Sequence, residues 1–199
     1  MQADDPARAA LAESAACGLP VLPQLRLLTV AEALSAPPPR RALELNAELD
    51  TLCTALRQGV RRRSGWLYFV PATRPLPAAV PRGLLQAALL CFADGVLALP
   101  DGQAAVQLEA APHAAVLALR GGLGRTLPAD TRALLLRLAA ICGGAVVQSG
   151  GSGPFTAALR LPVRPGLPLC EAPAPDSLLC DRYSALQVFL PGACISPQA

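Results

Sequence analysis

The 199-residue chain has no lysine, one histidine and little charge: charged residues make up 16% and aromatics 4%. A single histidine, His113, leaves no Ser-His-Asp or Cys-His arrangement that does not run through it. Without lysine, the "SGGSG" stretch has no Lys-Ser/Thr pair after it and reads as a flexible turn rather than a phosphate loop. Scarce aromatics argue against nucleic-acid binding, which needs arginines with interleaved stacking rings. No C-x-x-C pair occurs among the seven cysteines, and their odd count and irregular spacing argue against a disulfide framework or a structural zinc site. The longest apolar stretch, Leu84 to Pro100, contains Gln86 and Asp94 and is too short for a membrane span, so it reads as a buried helix. The start "MQADDPARAA" is acidic and lacks an apolar signal region, which predicts a soluble, cytoplasmic protein.

What is present is a large apolar fraction, 53%, enough for one sizeable core. All 17 basic residues are arginine and the net charge is only +3. Heavy use of alanine, proline and leucine makes coding bias the simpler reading of the arginines; selection for phosphate or nucleic acid is the alternative. "RRRSGW" at 61–66 is the one basic run and reads as a solvated helix end.

The spacing of apolar residues predicts helices in "ARAALAESAACG", in "PQLRLLTVAEALS" up to the triple proline Pro37–Pro39, and in "RRALELNAELDTLCTALRQGVRRR". In the last of these, Leu45, Leu49, Leu52 and Leu56 draw a narrow seam that either packs within the chain or pairs with a second copy. From Gly65 the pattern turns to strand at "GWLYFVPA", a buried helix over 82–99, and strands at Gln103–Glu109 and Ala114–Leu119. A glycine loop opens at Arg120, a helix closes at Gly143, and a final hairpin ends near Pro162. The order predicts an α+β two-layer sandwich, a mixed and mostly antiparallel sheet with helices on one face, preceded by short helices. Beyond Pro162 the chain is proline-rich until "SALQVFLPGA", which adds an edge strand or folds back over the core.

Four stretches, in order, resemble the ATP-binding catalytic domain of bacterial sensor histidine kinases, a member of the histidine-kinase-like ATPase superfamily. "GWLYFVPATRPLPAAVPRGLL" is similar to the strand and loop before that family's N-box. "LLQAALLCFADGVLALPDG" is similar to the N-box helix, and "VLALRGGLG" to the strand and D-x-G-x-G loop of the first glycine box. "LLLRLAAICGGAVVQSGGSGPFTAALRLP" is similar to the closing helix, double glycine and hairpin. The resemblance implies three segments: residues 1–63 as a helical remnant of the dimerisation region, 64–163 as the ATPase domain, and 164–199 as the tail.

The same resemblance places Leu90 at the N-box asparagine that gives an oxygen to magnesium, where an isobutyl group offers no ligand. Asp94 takes the second asparagine position, and Gly95, Leu97 and Ala98 the alanine, lysine and tyrosine positions. Arg120 takes the place of the aspartate that accepts from the adenine amino group, yet a guanidinium only donates. Gly122 and Gly124 match the box's glycines. The second glycine box is absent, and the segment Arg125 to Ala133 is too short for a nucleotide lid. A phosphoacceptor histidine is missing from the 45–60 helix, and His113 falls in a turn between strands. Asp94, Arg120, Gly122 and Gly124 therefore outline a degenerate nucleotide pocket with no catalytic and no metal-binding residue. The implied function is a non-catalytic regulatory module of two-component-like signalling, binding another kinase or a response regulator and holding no cofactor. The alternative is a working ATPase domain that binds ATP with magnesium through altered contacts, Asp94 near the metal and Arg120 or Arg125 on phosphate.

Overall fold

A computed structural model describes residues 21–60, 66–97, 102–123, 127–149, 154–180 and 184–190. The expected helix "ARAALAESAACG", the arginine run 61–63, Cys17, Cys194 and Gly124 lie outside these residues.

Helix α1 (Val21–Leu34) leads to the triple proline, which stops it because proline offers no N–H to continue the ladder. Strand β1 (Ala42–Glu44) and helix α2 (Leu45–Val60) follow. The helix expected from Arg40 onward thus begins five residues later. The reason is Glu44: its carboxylate accepts from the backbone N–H groups of Asn46 and Ala47, at 3.2 and 2.7 Å, as an N-cap does. A third N–H, that of Leu76, reaches the same carboxylate at 3.0 Å and holds the next loop against the cap.

Strands β2 (Trp66–Val70) and β3 (Pro77–Ala78) precede helix α3 (Arg82–Leu97); β3 lies where a plain loop was expected. After them come β4 (Gln103–Ala111), β5 (Ala114–Leu123), α4 (Ala129–Cys142), β6 (Ala145–Ser149) and β7 (Pro154–Pro162). The main sheet runs β2-β4-β5-β7-β6, with β2 parallel to β4 and the other pairs antiparallel. Helices α3 and α4 cover one of its faces. This is the mixed two-layer α/β arrangement expected. Helix α3 is apolar nearly all round and buried along its length, so it forms the centre of the core rather than an amphipathic cover. Gly143 ends α4 at φ 68°, a left-handed position that glycine takes without a Cβ penalty.

A second, small sheet β3-β1-β8, with β8 at Leu169–Cys170, joins the segments before and after the main sheet. Helix α5 (Pro175–Cys180) packs on α2, and α6 (Ala185–Phe189) on α1 and α3. "SALQVFLPGA" therefore holds a helix, capped by Ser184, and the edge strand lies earlier, at β8. Leu43 to Leu56, Leu84 to Leu97 and Leu179 to Leu190 belong to one hydrophobic core, so the residues from β1 onward are part of the same unit as the sheet. The leucine seam packs within the chain, the first of its two readings: Leu45, Leu49, Leu52 and Leu56 are each no more than 2% exposed.

Between β4 and β5 the chain turns at Pro112 and His113, and His113 is the one described non-glycine residue with positive φ, 58°. Its imidazole is exposed, as expected of a turn. His113→Gly is expected to raise stability by roughly 0.5–1 kcal/mol, the left-handed penalty less glycine's entropy cost. Urea midpoints of the two proteins measure it, and an unchanged or lower midpoint means that the histidine is not strained there.

Candidate functional site

The stretches that resemble nucleotide-binding motifs meet where the C-terminal half of α3 lies against β5 and the start of α4. Leu90 is fully buried among core side chains, as are most residues of α3. Asp94, one turn on, lies part-buried and accepts from the guanidinium of Arg26 on α1 at 2.6 Å. The same guanidinium lies over the Phe189 ring of α6, 5.2 Å from its centre. Burial opposes the Arg26 charge, but the Asp94 carboxylate outweighs it, and the pKa of the guanidinium is raised above its ordinary value. The carboxylate at the second N-box position thus already holds a cation supplied by the chain itself.

Arg120 does not face this region. Strand β5 continues through Arg120, Gly121 and Gly122 to Leu123, so most of the expected glycine loop is strand, paired to β4 and β7 with an irregularity between Gly121 and Leu123. Side chains alternate along a strand. Leu117, Leu119 and Gly121 point to the helices and are buried, while Arg120 is exposed on the opposite face of the sheet. Its cross-strand partners confirm the parity, since Ala105 and Thr156 lie between the inward residues Ala104, Val106, Phe155 and Ala157. Arg120 thus stands on the face of the sheet away from α3 and α4. Gly122 stands at φ 47° in the strand, and Gly124 falls outside the described residues.

Gly121 is the residue that looks toward α3, and there is no room beyond it. A Cβ at this position would lie 2.8 Å from Cγ2 of Val96 and 3.3 Å from the Phe155 ring. At the next contact, a Cβ on Gly95 would lie 2.5 Å from Cγ of Pro128. Close packing of glycine against side chain thus joins α3 to β5 and to the residue before α4. The first turn of α4 carries Asp130, and the buried Thr131 hydroxyl there has no hydrogen-bond partner among the described residues.

The cysteines add no reactive group here. Burial pushes the Cys91 thiol up to about 11 and the Cys142 thiol to about 11, and Cys53 rises to about 12 for the same reason. Among the described residues no three His, Cys, Asp or Glu side chains are grouped to hold a metal. No described helix is long and apolar enough to cross a membrane. Sequence reasoning missed Arg26 and Phe189, which reach the site from α1 and α6; a lone arginine and phenylalanine in helical stretches carry no motif.

No family model matches the chain, and no curated protein matches it. Solved structures do. The histidine kinase AdeS of Acinetobacter baumannii superposes with a TM-score of 0.55 at 10% identity, over 70% of this chain and 76% of its own. The catalytic domain of the histidine kinase ThkA gives 0.51 at 10% identity, over 61% and 94%. Full-length ShkA, in complex with AMPPNP, gives 0.56 at 17% identity over 78% of this chain, which spans only 38% of ShkA.

Proposed function

We propose that this chain, which has the fold of histidine kinase catalytic domains, is a non-catalytic binding module of two-component-like signalling that docks on another kinase or a response regulator without holding a nucleotide. One observation carries the reading: the residues at the nucleotide positions are satisfied by the chain itself. ATP with magnesium needs hard oxygen ligands and an acceptor for the adenine amino group. Leu90 offers no oxygen, and the Asp94 carboxylate is held by Arg26 at 2.6 Å. Gly121 offers no acceptor, and Val96 fills the space in front of it. The residues present do not fit the group. Asp130 adds a negative charge to the first turn of α4, which would repel an anion there.

The second reading, ATP binding through altered contacts, is favoured by one feature, the unpartnered Thr131 hydroxyl at the start of α4. Calorimetric titration with magnesium-ATP separates the two. The wild-type protein and the Arg26→Ala variant are both expected to show no saturable binding up to about 1 mM, near −4 kcal/mol. Saturation by the wild type below that concentration, abolished by Thr131→Val, establishes the second reading.

A further inference from the structure

Among the described residues the main sheet has helices on one face only, and its other face carries an unusual set of side chains. Trp66, Tyr68, Val70 and Val147 on the two outer strands are all about half exposed or more, at 63, 56, 49 and 68%. The strand register arranges this face in rows. One row reads Val70, Gln107, Ala118, Ala158, Val147 from β2 to β6: a valine at each end and small residues near the middle. The next row reads Glu109, Val116, Arg160, Ala145, so an acid and a base stand on either side of the central strand β5.

Glu109 and Arg160 are two strands apart, about 10 Å at ordinary strand spacing, too far for an ion pair within the chain. Both are exposed, and among the described residues the one side-chain bond either makes is from Gln107 to Glu109 at 2.7 Å.

We infer that this bare sheet face is an interface with a second copy of the same chain, packed face to face about a two-fold axis running along β5. That axis sets Glu109 of one copy opposite Arg160 of the other, twice, and Val70 opposite Val147, twice. Alanine 118 meets its own equivalent on the axis, which lets the sheets approach to the usual 10 Å or so. The arrangement is isologous, and the charge pattern of the row is complementary to itself under that rotation and no other about the face. Five strands and the rows involved span roughly 24 by 20 Å, so the pair buries on the order of 1,000 Å² in total, the lower bound for a specific interface and the size of a weak one. One contact opposes it: the same axis brings the two Arg120 side chains together.

The inference is independent of the nucleotide reading, and sedimentation velocity on the full chain tests it, from about 1 to about 300 μM, the regime of a small interface. The wild type is expected to shift from monomer to dimer over that range, with a blue shift of the emission of Trp66, the sole tryptophan. Glu109→Arg and Arg160→Glu should each weaken association by about tenfold or more, and the double swap should restore it to within about threefold. Arg120→Gln should tighten it, because it removes the like-charge contact. All these residues are exposed, so thermal melts should stay close to that of the wild type. A monomer at every concentration overturns the inference, and so does a dimer that ignores the charge swap, which would place association on another face.

Discussion

Replacing Gly121 with aspartate is expected to destabilise the domain by about 4 kcal/mol or more, and to leave it without affinity for ATP. The resemblance sets an aspartate at position 120, and Gly121 beside it is the position of this strand that faces the helices. Here an aspartate's Cβ alone would stand 2.8 Å from Val96 and 3.3 Å from Phe155, both part of the core between α3 and the sheet. The carboxylate would then enter an apolar layer with no described donor beside it. Overpacking costs about 1–3 kcal/mol, and an unpaired buried charge adds to that. For a chain of this length the melting temperature should fall by roughly 10 °C or more. Urea unfolding followed by Trp66 emission measures the loss. A variant that folds with wild-type stability and gains saturable magnesium-ATP binding would show that the pocket is open and merely lacks its acceptor.

Arg82→Ala should cost about 2–3 kcal/mol at neutral pH, somewhat less than for a fully enclosed pair because Arg82 is itself 35% exposed. Its guanidinium donates to the Glu48 carboxylate at 3.0 Å and to the backbone oxygen of Glu171 at 2.5 Å, tying α2, α3 and the segment after β8 together. Glu48 is only 2% exposed, and Gln86 gives it a second donor at 3.1 Å. Burial raises the Glu48 pKa above its ordinary 4.5, while Arg82 and Gln86 pull against the rise. Without Arg82 the pKa rises further. A carboxyl with a raised folded-state pKa binds its proton more tightly in the folded than in the unfolded chain. Stability therefore falls as pH climbs from the unfolded value through the folded one. The penalty of Arg82→Ala should accordingly be largest near pH 7 and shrink near pH 4, where Glu48 is protonated in both states. Urea midpoints of both proteins at the two pH values test it. An equal penalty at both would mean that the lost contact to Glu171, rather than the stranded carboxylate, accounts for the loss.

Most element boundaries follow from local pattern. The apolar period of α3, the alternation in β4 and β7, the glycine after α4 and the prolines after α1 each act within a few residues, and the chain folds accordingly. The misreadings have a common source. Glu44 reads as part of a helix because its cap bonds go forward to N–H groups that any residue possesses. Arg120 is the instructive case. Matching the glycines alone set it in the pocket, although the alternation of Leu117 and Leu119 already directs it to the other face.

The amino-acid sequence by itself determined the class of fold and the absence of an oxygen at position 90, because periodicity and residue chemistry are local properties. Only the tertiary structure decided what occupies the site and which surface is bare. Arg26 and Asp94 are 68 residues apart in the chain. The row that sets Glu109 and Arg160 on either side of β5 exists only once three strands are in register. Contacts of that kind depend on how distant segments pack, and no local spacing records them.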